Sequence, residues 1–381
     1  MKIRDIIDSY YIKPEYLSAY RILYGLIVMI FIGLPAYSWL GNSIDYLFKP
    51  PTISISNLFN GFPGSGFFNV LTFLNLVFFI CMFLGIQSKW SSLLFSLTCI
   101  IGYNYWYSFG KVDHLLLWVI TPMFLGFAGW GNHFNIYSLL GNRKSKEAEL
   151  VSRDTISLII SLLALSIAFS MLTSGVAKVM GGWLSWSHEA VRYNLIKNYF
   201  TLDRAEFMAS FFLTFKNHLV WKAMDYSALF LECGFILSVV RQKYFRIFLL
   251  MAVAFHVLVL IMFNIAFYSN LIAYMLFIDW SLIDRRFGIL KLAHNPVKSK
   301  VAIQFFSLTA LCFGFWCLYC LLKGSLFFQF PGLIEECLSL LSVSDAYHIA
   351  ILSLFSITLF VLVYMMICHF IQFNKQRKSF E

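Results

Sequence analysis

From Ile156 to Gly175 the chain reads ISLIISLLALSIAFSMLTSG without one charged residue. An apolar run of about 20 residues is long enough to cross the hydrocarbon core of a bilayer as a helix. The run closes with VAKVMGGW, so Lys178 stands at its far end, five residues before Trp183. Two readings of that lysine follow. As an anchor, it lays its stem along the helix end and lifts its ammonium to the headgroups. As a site residue, it is a desolvated amine: burial disfavours the charged form, so the amine can act as a base.

The rest of the chain repeats the pattern. Hydrophobic residues make up 60% of 381 positions and charged residues 13%, about half the share of a soluble domain. The class is therefore all-α, a polytopic integral membrane helical bundle. A net charge of +10 in such a chain is a matter of loop distribution and no nucleic-acid signal. The eight cysteines (Cys81, Cys99, Cys233, Cys312, Cys317, Cys320, Cys337, Cys368) fall mostly in apolar runs and show no metal spacing, which argues against a zinc site or a disulfide framework. The N-terminal MKIRDIIDSYYIKPEYLSAY lacks the apolar core of a cleavable signal peptide.

Ten apolar spans are predicted, near 18–40, 67–87, 91–109, 114–131, 156–177, 225–240, 246–264, 265–279, 301–322 and 349–371. Basic residues gather at the N-terminus, at Lys89, around Arg143–Arg153, at Arg241–Arg246, from Arg285 to Lys300 and at Lys375–Lys378. With ten spans these groups alternate sides, which places both termini in the cytoplasm by the positive-inside rule. Residues 179–224 then form a long extracytoplasmic loop, rich in aromatics and expected to hold short amphipathic helices at the interface. A division follows into residues 1–290, the main transmembrane domain, and 291–381, a two-helix extension.

Polar groups at membrane depth are costly and mark candidate sites. Arg21 lies near the start of the first span, as anchor or as ligand group. Asp113 and His114 open the fourth span, where a plain helix cap is the simpler reading. Glu232 sits within the sixth span and needs a basic or hydrogen-bonding partner from another helix, Arg21 being one candidate. His256 lies inside the seventh, where a lone histidine is usually a satisfied core residue. His114, Lys178 and His256 share the outer half of three different helices. They are expected to converge on one cleft, beneath the loop after Trp183.

Four stretches in order, LSAYRILYG, DHLLLWVITPMFLGFAGWGNHFNIYS, SGVAKVMGGW and FHVLVLIMFNIAFYSNLIAYMLF, resemble the vitamin K-dependent γ-carboxylase-like membrane proteins, also called the horizontally transferred transmembrane (HTTM) domain family. The resemblance covers about residues 15–285. It implies Lys178 as the carboxylase base and His114 and His256 as stabilisers of a developing oxyanion. Arg21, Asp113, Trp183 and Glu232 are implied as substrate- or cofactor-binding residues. It further implies a reduced quinone (a vitamin K-like hydroquinone), O2 and CO2 as reactants, with the chain in a bacterial cytoplasmic membrane. Departures are visible. Phe134-Asn135-Ile136-Tyr137 stands where the family often has Trp-Ser-x-Asp, Trp186 replaces a usual glycine, and two apolar spans occupy the place of the large β-rich domain of animal carboxylases.

Three function classes stay open on these residues. The first is a carboxylase- or oxygenase-like enzyme acting from the outer leaflet on a peptide or small molecule. The second is a maturation factor for a secreted toxin-like peptide, as in sporulation-delaying-protein systems, with a small partner protein. The third is a non-catalytic binding or transport protein, less favoured because no repeated halves with broken helices are visible.

Overall fold

The computed structural model describes residues 2–43, 47–52, 54–58, 61–109, 115–139, 151–202, 204, 207–294, 332–340, 349, 351–360, 363–364 and 367. The described residues are helical and contain no strand. Among the described residues, four helices are long and apolar enough to cross a membrane: Pro14–Ile32, Ser65–Leu84, Arg153–Met180 and Gln242–Phe263. Several predicted spans are shorter as helices, Leu116–Phe127 and Tyr268–Met275 among them. The ninth, 301–322, lies outside the described residues.

In chain order the helices are α1 (Ile3–Asp8), α2 (Pro14–Ile27), α3 (Ser65–Leu84), α4 (Ser88–Tyr107), α5 (Leu116–Phe127), α6 (Ile136–Leu139), α7 (Arg153–Met180), α8 (Ala190–Thr201), α9 (Ala209–Leu213), α10 (His218–Ser238), α11 (Gln242–Phe263), α12 (Tyr268–Met275), α13 (Trp280–Phe287), α14 (Ile289–His294), α15 (Leu333–Leu340) and α16 (Ile351–Phe360). Contacts divide them into two units, neither continuous in sequence. One holds residues 1–11, 160–279 and 347–381; the other holds 12–159 and 280–346.

Local chemistry explains the ends of the elements. α2 starts with Pro14 in its first turn, where the missing N–H costs nothing. It runs into a π-helical turn, Val28–Ile32, and stops at Gly33, whose φ of 82° only glycine adopts freely. α3 ends on Gly85 at φ 73°, with Ile86 N–H returning to Cys81 O as in a Schellman cap. α5 tolerates Pro122 because the carbonyl that loses its helical donor, Trp118 O, is taken by the Tyr24 hydroxyl at 2.9 Å.

α7, which belongs to the other unit from Ile160 onward, is 28 residues long, about 42 Å at 1.5 Å per residue, so it exceeds a hydrocarbon core of about 30 Å. Lys178 sits in its last turn. α10 begins at Asn217, whose side chain accepts from Leu219 N–H at 2.9 Å. The described residues of the connection 179–217 include two short helices. α8 and α9 pack Val191, Leu195 and Ala209 on Trp221 of α10 and Met262 of α11. α8 leaves Tyr193, Ile196 and Phe200 exposed at helical spacing. α8 therefore carries apolar residues on its buried and exposed faces alike, and the amphipathic pattern expected of this segment is not seen in it.

Candidate functional site

The end of α7 meets the middle of α10 through three residues of one motif. Gly175 is buried at the crossing: a β-carbon there would lie 2.6 Å from Cys233 Sγ and 3.1 Å from Glu232 Cβ. Only a glycine lets the helices approach this closely. One turn later Lys178 donates to both carboxylate oxygens of Glu232. Ser174 completes the group. Its hydroxyl accepts from Lys178 Nζ at 3.1 Å and donates to Glu232 Oε1 at 3.3 Å. The sequence S-G-x-x-K is thus a single device: hydroxyl, close approach and amine, all aimed at one carboxylate on the neighbouring helix.

The pair is unequally covered. The Glu232 side chain is 4% exposed and that of Lys178 is 22% exposed. Over the amine lies the Trp183 ring, its centroid 5.3 Å from Nζ, close enough for a cation–π contact. Lys178 is therefore no simple anchor reaching outward; its amine turns back onto a buried acid. The basic partner expected for Glu232 is present, and it comes from α7. Arg21, named as a candidate for that role, donates instead from Nη2 to Phe134 O at 2.6 Å and His133 O at 3.4 Å. The reason is local: the backbone of the 131–135 turn presents carbonyls to it, and Phe134 itself sits at φ 51°.

His256 on α11 is buried and is held by the Tyr274 hydroxyl at 3.2 Å and Asn270 Nδ2 at 3.4 Å, both from α12. Its ring stacks on Phe267 at 4.7 Å between centroids. Lys178, Glu232 and Trp183 form one cluster; the bonds that hold His256 come from α12 and not from that cluster. Asp113 and His114 lie outside the described residues.

A second lysine–acid pair on α10 escaped the sequence reading. Lys222 and Asp225 have side chains 2% and 0% exposed and meet at 2.8 Å. Lys222 Nζ also donates to the carbonyls of Trp183 (3.1 Å), Ser185 (2.9 Å) and His188 (2.8 Å). Asp225 accepts from the N–H groups of Ala190 (3.2 Å) and Val191 (2.8 Å), at the start of α8. This clamp fixes the 183–191 turn, and with it the Trp183 ring over Lys178. The available signal was spacing: Lys222, Asp225 and Glu232 sit three and seven residues apart on one helix of an otherwise apolar chain, hence on one face.

Beyond the clamp, Glu189 accepts from Arg192 Nη1 at 2.7 Å and meets His218 Nδ1 at 2.8 Å. The Arg192 hydrogen bond, aided by His218, holds its carboxyl below the usual range against the opposing effect of burial. Trp186 packs edge-on against His218 at 5.1 Å.

A scan against protein-family models finds no match to this chain, and searches of curated proteins and of solved structures find none either.

Proposed function

We propose that the chain is an integral membrane enzyme of carboxylase or oxygenase type that takes a proton from its substrate through the Lys178–Glu232 pair. Support comes from one observation: a lysine amine and a carboxylate are held together at a helix end, mostly but not fully covered, with a hydroxyl and an indole fixed around them. An ion pair removed from water has a second form, amine plus carboxylic acid, which burial favours. In that form Lys178 is a free base. In the charged form Glu232 is one, so either member can receive a proton from a bound hydroxyl. Ser174 orients both partners, and the clamped Trp183 limits water.

The donor set suits a hydroquinone hydroxyl. One amine and one carboxylate can bond it, and the neighbouring Met180 and Leu184, 83% and 55% exposed, offer apolar surface to a ring or tail. Such a group supplies reducing electrons and an acidic hydroxyl; the substrate acted on is a peptide or small molecule. The topology proposed with it has ten spans, both termini in the cytoplasm of a bacterium and the 179–224 segment outside. Reporter fusions at Asn198 (external) and Lys300 (cytoplasmic) check it.

The chemistry is tested by hydroquinone-dependent oxygen uptake of protein reconstituted in nanodiscs. Wild type should consume oxygen when given a vitamin K-type hydroquinone, and Lys178→Met should not. Lys178→Arg should be inactive too, because arginine does not release a proton. Full activity in Lys178→Arg, or none in wild type, overturns the reading.

A further inference from the structure

Arg21 presents a different anomaly. Its side chain is fully buried, yet only Nη2 is engaged, on the two carbonyls of the 131–135 turn. Nε and Nη1 are buried and make no hydrogen bond. No ion pair joins Arg21 to a carboxylate among the described residues. A guanidinium cannot discharge itself by losing a proton, and a buried cation without a counter-charge is among the costliest arrangements a protein can hold. Polar groups left so are rare enough that each calls for an explanation, an unseen ion being one.

The surroundings say which ion. Nη1 lies between two glycines. A β-carbon on Gly85 would come within 2.3 Å of it, and one on Gly131 within 3.3 Å. The point beside Gly131 is also 1.8 Å from Ser88 Oγ, so the arginine tip and the serine hydroxyl both pack against Gly131. Ser88 is the first residue of α4, a helix of 20 residues. The residue ahead of it, Gln87, has left-handed backbone geometry, and no side chain caps the helix. The N–H groups of the first turn carry the positive end of the helix dipole. Lys89 follows at once, and both Ser88 and Lys89 reach solvent. A buried guanidinium, a hydroxyl and an uncapped helix start thus converge near one solvent-reaching edge. That is the chemistry which binds oxyanions.

The geometry points to a phosphate-type oxyanion held between Arg21, Ser88 and the N-terminus of α4. A phospholipid headgroup and free phosphate offer the same oxygens. In either case the anion neutralises Arg21 and ties α2, α4 and the 131–135 turn together.

The test is thermal unfolding of the full chain, delipidated in a phosphate-free maltoside detergent. Wild type in chloride buffer is compared with the same sample given inorganic phosphate, and with the same micelles containing phosphatidylglycerol. An anion bound only by the folded state raises Tm by at least about 2 °C once it is well above its dissociation constant. A rise with phosphate identifies the free ion, and a rise with phosphatidylglycerol alone identifies the headgroup. Ser88→Asp sets a carboxylate at the same spot. It should raise Tm in chloride buffer and abolish the response to either anion. Arg21→Met should likewise be unresponsive; if it fails to accumulate, Ser88→Asp carries the test. A wild type that responds to neither anion, or a Ser88→Asp protein that responds as wild type does, overturns the inference.

Discussion

Separating Lys178 from Glu232 should cost unequal amounts depending on which partner is removed. Lys178→Met leaves a carboxylate that is 4% exposed, whose one remaining donor among the described residues is the Ser174 hydroxyl. Breaking a buried pair in this way typically costs about 3–5 kcal/mol. There is a ceiling, because the stranded acid can take up a proton instead. For an ordinary glutamic acid at pH 7 that costs about 3.7 kcal/mol, and at pH 5 about 1 kcal/mol. Glu232→Gln leaves an amine that is 22% exposed and can turn to water, so its loss should be nearer that of a surface pair, about 1 kcal/mol. The double variant Lys178→Met/Glu232→Gln strands no charge and should fall within about 1 kcal/mol of wild type. Denaturation of the four proteins in nanodiscs, at pH 7 and pH 5, measures the cycle. The expected signature is a large Lys178→Met penalty at pH 7 that shrinks at pH 5, and a double variant more stable than Lys178→Met alone. Equal single penalties, strict additivity, or a Lys178→Met penalty independent of pH would refute the reasoning.

Two further outcomes follow from the same geometry. Gly175→Ala brings a β-carbon to 2.6 Å from Cys233 Sγ, so α7 must back away from α10. Overpacking of about 1–3 kcal/mol is offset by about 1 kcal/mol of helix propensity, and oxygen uptake should fall far more than stability does. Glu189, held below the usual carboxylate range by Arg192 and His218, contributes stability above that range and loses it as pH falls through its lowered value. Hydrogen exchange of the α8 amides, corrected for its intrinsic pH dependence, should therefore quicken only at pH below the usual carboxylate range, and Glu189→Gln should remove that pH dependence.

The features legible in the sequence were those carried by local pattern. Unbroken apolar runs such as Ile156–Gly175 announce a helix whatever surrounds them, and that helix is present. The S-G-x-x-K element drew attention because a charge closing an apolar run is costly. The pairing was not legible. Whether Glu232 meets Lys178 or Arg21 depends on which helices touch, and that is decided by Gly175, a residue with no side chain to advertise itself. The 222–225 clamp was missed for a related reason. Lys222 falls just ahead of the apolar span, where a lysine reads as an interfacial anchor, and nothing local reveals that three carbonyls from 183–188 will surround it.

The two lysines of this unit differ in a way that favours Lys178 over Lys222 for the proposed site. Both are paired with an acid on α10. Lys222 is all but sealed, and its four acceptors exceed the three hydrogens of its ammonium. Moving that amine would loosen the whole 183–191 turn. Lys178 has two neighbours that are themselves able to exchange protons, Ser174 and Glu232, and a fifth of its surface is open. A proton leaving it can be replaced within the cluster, and a ligand can approach it without dismantling the loop. The turn that Lys222 holds is the one carrying Trp183 across Lys178. Through that turn the rigid pair keeps the exchangeable pair covered.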